Sequence, residues 1–532
     1  MHKIKTGACL LAADGVSRAR IMLDAEFLPL YKDAVQELVT GIAKSTGVRI
    51  FIDGSAVFMR LLEPDRPAPV TIRFMLPAPG AGLGLDGFTI SVTADQLVFT
   101  AGTRSGFFNA VHVFLERYCG FRWLWPGADG EVYDKLDRLT VPPGEITENP
   151  DYRWRNLLLV DMPEEEGKPA GRWQIQEFHM RPSKAANARM AQWLRRNRMG
   201  GLQVVAGHTW GRFVSPEEFG KDHPEYFAQV AGSRQNSINR YSGKHGGQLC
   251  TSNQAVIDLL VRRIREHFDR FPEIDVISIS PNDGTAICEC DACIARDVHF
   301  GNPPPGGDGA RLKLDETLRD DADRSTGSAR ITGPVTDRFF EFANRVAGKI
   351  AETHPGKLLL LLVYGPTRTP PRRVVLDANV IAQFCVHCHR HWSREWRAAD
   401  YALFEELTGK TRATGIYEYY EQGVWPGLPR SFPDLIVDSV RFFHQHGARH
   451  YSTQASGGFA ANGINLWVLA RALWNVEVDV DDLLEDYCRK GFIAAAGPMR
   501  DYFELWRGRW RACEGLTHLG DKPPGARPDG TN

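Results

Sequence analysis

Leu358-Leu359-Leu360-Leu361-Leu362-Val363 is a run of six apolar residues with no polar break, set just after the helix stop His354-Pro355-Gly356. A strand with one wet face would alternate. This one does not, so it is read as a parallel strand buried on both faces. Before it, Phe339, Ala343, Val346 and Ile350 recur at helical spacing, which gives a helix followed by a strand. The same rhythm extends in both directions. Strand-like segments at 154–160, 201–205, 249–250 and 275–280 precede it, and segments at 380–384, 415–417 and 450–452 follow. Eight candidate strands in β/α order predict an α/β chain built on a (β/α)8 TIM barrel over residues 151–462.

The flanks read differently. Residues 1–150 form an N-terminal α/β domain. Ile21-Met22-Leu23 is strand-like; Tyr31, Ala34, Val35, Leu38 and Ile42 then repeat as a helix face that Gly47 stops. Strands at 48–52 and 70–75 come next, then a hairpin of 88–92 and 97–100 about Ala94-Asp95. A second helix carries Phe107, Val111, Phe114, Leu115 and Tyr118, and Pro142-Pro143-Gly144 closes the unit. The Gly/Pro/Asp-rich segment 302–333 is a long insertion near the barrel mouth. Residues 463–519 form a C-terminal helical extension, and 520–532 a Pro/Gly-rich disordered tail.

Lys+Arg is 64 and Asp+Glu is 65 in 532 residues, a net charge of −1. With no basic footprint, nucleic acid and anionic membrane are excluded as expected partners. No stretch reaches the ~18–20 apolar residues of a membrane span. Met1-His2-Lys3-Ile4-Lys5 is a weak leader start, and the apolar residues 8–13 end at Asp14, too short for a good signal core. The expectation is a cytoplasmic chain, or a secreted or periplasmic one if a leader is missing from this sequence. Ten sparse cysteines fit reduced thiols better than a disulfide scaffold. The 13 Trp, 14 Tyr and 28 Phe fill a large core and also suit stacking on sugar rings.

Function in a barrel collects at the C-terminal strand ends. In strand order these offer Arg155, Asn156 and Asp161; His208, Thr209 and Trp210; Thr251, Ser252 and Asn253; Asn282 and Asp283; Tyr364; His387, His389 and His391; Glu418, Tyr419, Tyr420 and Glu421; and Gln454. A phosphate cradle, a nucleotide fingerprint and a Ser/His/Asp motif are lacking. Two carboxylates across such a mouth are what glycosidic cleavage needs, ~5 Å apart for retention and ~6.5–9.5 Å for inversion. Asp283 and Glu418 are the natural pair, because the fourth and seventh strands face each other. Asp283 also suits an Asx turn before Gly284, and Glu418 a salt-bridged surface position. Alternation puts Glu418 and Tyr420 on one face and Tyr417, Tyr419 and Glu421 on the other, so Glu421 is the second candidate. Cys288-Glu289-Cys290-Asp291-Ala292-Cys293 resembles a metal motif, with Cys385, Cys388 or a nearby histidine as fourth ligand. The favoured reading is small buried residues bracing the Asp283 loop, with no metal and no cofactor.

Arg104-Ser105-Gly106, Phe114-Leu115-Glu116-Arg117 and Phe121-Arg122-Trp123-Leu124-Trp125-Pro126-Gly127 resemble the N-terminal domain of α-glucuronidases and β-hexosaminidases. His223-Pro224-Glu225-Tyr226-Phe227, Gln248-Leu249-Cys250-Thr251-Ser252-Asn253, Ser280-Pro281-Asn282-Asp283-Gly284, the cysteine run and Tyr364-Gly365-Pro366 resemble the bacterial domain of unknown function 4838 family, described as α-glucuronidase-like. The resemblance spans about residues 15 to 510. It implies the same three-part fold and, from the related family 20 hexosaminidases, an Arg on the first strand that grips sugar hydroxyls, best matched by Arg155. Those enzymes carry Asp-Glu after the fourth strand, where this chain has Asn282-Asp283; an acetamido-assisted route therefore does not carry over directly. The glucuronidase Glu motif is also not visible. The expectation is an exo-acting glycoside hydrolase, uronides and N-acetylhexosaminides among its candidate substrates. Asp283 is the acid, kept protonated by burial, and Glu418 the nucleophile or base. Arg155, His208, Asn282, Tyr364 and His387 hold hydroxyl or carboxylate groups; Tyr420, Trp210 and Trp125 stack. A non-hydrolytic carbohydrate-binding barrel is the alternative, and a metal-dependent enzyme a third reading. A homodimer is compatible with such a barrel.

Overall fold

The computed structural model describes residues 7–53, 70–159, 184–236, 247–283, 287–305, 330–331, 333–388, 391, 393–420, 431–455 and 459–512. In the first domain, six strands run in the order Gly144–Glu148, Phe88–Val92, Gln96–Thr100, Val70–Met75, Ala19–Met22 and Phe51–Asp53. The expected hairpin is present, with Ile90 opposite Phe99. Helices Leu28–Thr46 and Arg104–Tyr118 pack together against the sheet. Their approach is close at Gly41, where a Cβ would lie 2.6 Å from Leu115 Cδ2. Gly47 ends the first helix at φ +73°, a conformation that favours glycine. Two local expectations change. The apolar run at 8–13 is a buried strand, Cys9–Ala13, paired antiparallel with Arg138–Val141. The strand expected at 48–52 begins only at Phe51.

The second part is a curled, mainly parallel sheet. Its strands are β1 (Trp154–Leu159), β2 (Val204–Val205), β3 (Val276–Ser278), β4 (Leu358–Val363), β5 (Val380–Val386), β6 (Ala413–Glu418) and β7 (Ala448–Ala455). The hydrogen-bonded order is Gly200–Gly201, β1, β7, β6, β5, β4, β3, β2. Seven strands are parallel, and the eighth member, Gly200–Gly201, pairs antiparallel with β1. The expected second strand is therefore split, its two halves joining opposite ends of the sheet. Gly201 permits this: its φ is +100° and a Cβ there would lie 2.0 Å from Arg153 O. The expected third strand does not join the sheet; Leu249 bridges antiparallel to Phe227 instead. Among the described residues, eight parallel strands are thus not all present.

Helices α1 (Lys184–Arg196), α2 (Gln254–Arg270), α3 (Asp291–His299), α4 (Thr336–Thr353), α5 (Arg394–Thr408), α6 (Pro433–Gln445) and α7 (Phe459–Trp474) lie between and after the strands. The step from β4 to β5 holds only the short turn Gly365–Thr367. The C-terminal helices Val480–Phe492 and Ala496–Ala512 follow α7. β4 is buried on both faces, as its sequence predicts. Leu360 and Leu362 sit in an inner cluster with Trp154, Val276, Ile381, Cys385 and Tyr417; Leu359, Leu361 and Val363 join the outer core with Phe339 and Phe404. Residues 306–329 of the insertion and the tail from 513 lie outside the described residues. Among the described residues no helix is long and apolar enough to cross a membrane.

Candidate functional site

The two clusters sort the strand-end residues by face. On β6, Tyr417 belongs to the inner cluster and Tyr419 packs on it, while Ile416 and Tyr420 belong to the outer core. The alternation expected from sequence is present, but the mouth takes the other set. Glu418 faces the helix layer. It is fully buried, and its Oε1 accepts 2.8 Å bonds from the Cys388 and Tyr419 amides. Burial raises its carboxyl to about 8, outweighing the neighbouring donors, which favour the charged form. Tyr420 lies behind the sheet too: its hydroxyl is 2.7 Å from that of Tyr451 and its ring packs on Phe432. The pairing of Glu418 with Asp283 across the mouth is therefore not formed.

Three other expected contacts are also turned inside the protein. Arg155 is 1% exposed, is paired with Asp86 of the first domain, and donates to the Arg198 and Tyr152 carbonyls. Trp154 occupies the inner face of β1, so Arg155 must point outward. Trp210 is fully buried, stacked on Phe339, with Nε1 donating to Ile279 O at 2.7 Å. Asn282 is buried; its Oδ1 accepts from Gly211 N at 2.8 Å and its Nδ2 donates to Gly247 O at 3.1 Å. Trp125 packs near Tyr487 and Phe492 of the C-terminal helices. His391 is buried, 2.9 Å from Asp400, which also pairs with Arg368. Asp161, His389 and Glu421 lie outside the described residues.

The structure brings Asp283, His208, Tyr364 and His387 together at the C-terminal ends of β2 to β5. Asp283 follows β3, and its side chain is 55% exposed, so the expected burial of the acid is not supplied by the protein alone. His208 bridges in parallel to Ser280, which extends the β2–β3 pairing. Its Nδ1 donates to Pro281 O at 2.6 Å, leaving Nε2 at 4.0 Å from Asp283 Oδ1. The Tyr364 ring lies 6.5 Å from the His208 ring. His387 stacks flat on Tyr419 at 4.3 Å and 9°, and Tyr419 meets Tyr417 edge-on at 5.1 Å. Gln454 donates to the Tyr417 hydroxyl at 2.6 Å, and Asn156 to Ser452 at 3.1 Å. Asp283 lies within electrostatic reach of both Tyr417 and Tyr419. The sequence reading placed Tyr419 and Gln454 at the strand ends without giving them a role, and it missed Tyr417. The signal that finds them is the register Cys385 to Tyr417 to Ser452 across β5, β6 and β7. The arrangement joins one solvent-facing carboxyl, the His208 imidazole beside it and a flat wall of His387 and Tyr419, which suits proton transfer beside a stacked ring.

The four cysteines Cys250, Cys288, Cys290 and Cys293 converge nearby. The fourth member is Cys250, not Cys385 or Cys388: Cys385 sits in the inner cluster and Cys388 in the outer core.

Residues 125–504 match the model of the domain of unknown function 4838. No curated protein matches the chain. Among solved structures, one similar fold is a family GH115 4-O-methyl-α-glucuronidase with specificity for decorated arabinogalactans, at TM-score 0.51 and 11% identity. The match covers 94% of this chain and 62% of that enzyme, so this chain spans under two thirds of its length. A β-N-acetylhexosaminidase from Bacteroides fragilis gives TM-score 0.46 and 12% identity, over 94% and 93% of the two chains. A GH138 enzyme targeting pectin rhamnogalacturonan II gives 0.45 and 11%, over 94% and 70%. These structural neighbours are glycoside hydrolases.

Proposed function

We propose that this chain, which belongs to the domain of unknown function 4838 family, is a glycoside hydrolase that works at the end of an oligosaccharide or glycoside. Uronides and N-acetylhexosaminides are the first substrates to try. The observation that carries the reading is Asp283 beside His208, with the His387–Tyr419 stack in electrostatic reach, at the strand ends where barrel enzymes keep their chemistry.

Asp283 is the proton donor to the leaving glycosidic oxygen. A sugar ring laid over the exposed carboxyl would exclude water from it. His208 Nε2 faces that carboxyl and serves to hold the proton or a hydroxyl group in line. Tyr419 backed by His387 offers the face for the apolar side of the ring, and Tyr364, Tyr417 and Gln454 offer hydroxyl and amide contacts. The second carboxylate is assigned to Glu421, the second candidate of the sequence reading, which lies outside the described residues. Glu418 is a buried structural acid.

The test is release of sugar from a panel of aryl glycosides and oligosaccharides by wild type, Asp283→Asn, Glu421→Gln and Glu418→Gln. Asp283→Asn should lower turnover by about 10²–10⁴-fold with folding intact. Glu421→Gln should fall comparably, and Glu418→Gln should keep most activity. Unchanged turnover in Asp283→Asn overturns the acid assignment. Sugar-induced thermal stabilisation without any release would replace the hydrolase by a carbohydrate-binding protein.

A further inference from the structure

Cys250, Cys288, Cys290 and Cys293 lie with Ala228 and Val230 in a small buried cluster, apart from the two larger cores. All four sulfurs fall within 4.8 Å of one another. Cys250 Sγ is 3.7 Å from Cys290 Sγ and 3.8 Å from Cys293 Sγ. Zinc–thiolate bonds of ~2.3 Å at tetrahedral angles require sulfur–sulfur edges of ~3.8 Å. A disulfide would bring two sulfurs to ~2.05 Å. An iron–sulfur cluster ties its cysteines to different irons and so spreads them further apart. We infer that Cys250, Cys288, Cys290 and Cys293 form a tetrathiolate zinc site.

The surroundings fit charged sulfur ligands. The Gln229 amide donates to Cys288 Sγ at 3.3 Å. Cys290 is the N-cap of α3, so Cys290 and Cys293 sit at the positive end of that helix. Arg338 of α4 is 1% exposed, donates to Cys288 O at 2.9 Å and pairs with Asp297 of α3. Amide donors and a buried cation beside sulfur favour the thiolate and orient it. With four protein ligands no coordination position is left open, so the site is structural. Its ligands fasten two segments, the turn at Cys250 and the stretch from Cys288 into α3, and the Gln229 amide ties the hairpin Gln229–Val230 and Ser233–Arg234 to Cys288. Cys288 is five residues past Asp283, and Gln248, two before Cys250, donates to Asn282 O. The zinc therefore braces the loop that carries Asp283. This inference does not depend on what the mouth binds.

The experiment measures metal in the full chain, purified without chelator or histidine tag. The expected result is one zinc per chain, released by an organomercurial and lost in Cys250→Ser and Cys293→Ser, but retained in Asp283→Asn. Replacing zinc by cobalt should give the intense charge-transfer bands of a tetrahedral tetrathiolate. If the serine variants fail to fold, the wild-type metal content and cobalt spectrum still decide. Wild-type protein that carries no zinc and takes up none in its reduced form overturns the site. Stoichiometric iron in place of zinc, or a cobalt spectrum without thiolate bands, overturns it as well.

Discussion

At the scale of single residues the clearest case is Glu418. Its carboxyl is held protonated up to about 8 by burial, against a usual value of 4.5. Between those values the folded state keeps a proton that the unfolded state releases. The stabilising contribution is complete below about 4.5 and is lost as pH rises through about 8, with a slope of at most ~1.4 kcal/mol per pH unit. Glu418→Gln keeps an acceptor for the Cys388 and Tyr419 amides and removes the titration. Thermal unfolding at pH 5, 6.5 and 8 should show the variant gaining on wild type as pH rises. A constant gap would contradict the buried, protonated assignment. Sequence alone could identify a carboxylate at this strand end; it could not say that the backbone would place it under the helices.

At the scale of elements, β6 explains that limit. Period-two alternation was legible in Tyr417-Glu418-Tyr419-Tyr420, and the structure keeps it. Which set faces the mouth was not legible, because both faces of the strand carry tyrosine and both are covered. The face is fixed by register with β5 and β7, which are distant in sequence. The consequence is measurable in a pair of variants. Tyr420→Phe removes a buried hydroxyl bonded to Tyr451 and Ser439 and should cost about 1–3 kcal/mol in denaturant unfolding with sugar binding unchanged. Tyr419→Ala should weaken sugar binding more than stability. The reverse pattern would put the mouth on the other face. The strand at Leu358–Val363 was legible because a short unbroken apolar run after a helix stop fits a strand covered on both faces. The split at Gly200–Gly201 was not, since a left-handed glycine pair leaves no mark on hydrophobic periodicity.

At the scale of the whole molecule, buried ion pairs join the first domain to the sheet. Arg155 of β1 meets Asp86, and Glu116 meets Arg198 and Arg471 of α7. The three guanidinium groups near Glu116 (Arg198, Arg471 and Arg122) outweigh its desolvation and lower its carboxyl to about 2. Asp86→Ala should destabilise the protein by about 3–5 kcal/mol, because it strands the buried Arg155 cation. Adding Arg155→Leu should recover much of the loss, read by calorimetric unfolding of single and double variants; no recovery would mean the pair does not act as a unit. The succession of an N-terminal mixed sheet, a run of strands and helices, and terminal helices was legible in the spacing of apolar residues and breakers. The ion pairs were not, because each joins residues tens to hundreds of positions apart whose types are common on surfaces.

The loop at Asn282 has one more consequence. Its side chain and carbonyl are fastened to Gly211, Gly247 and Gln248, and none of these bonds uses the side chain of residue 283. Position 283 is thus an address kept by its neighbour. A relative could exchange the occupant for another acid, an amide or a hydroxyl and present it at the same place, changing the reagent without rebuilding the shelf on which it stands.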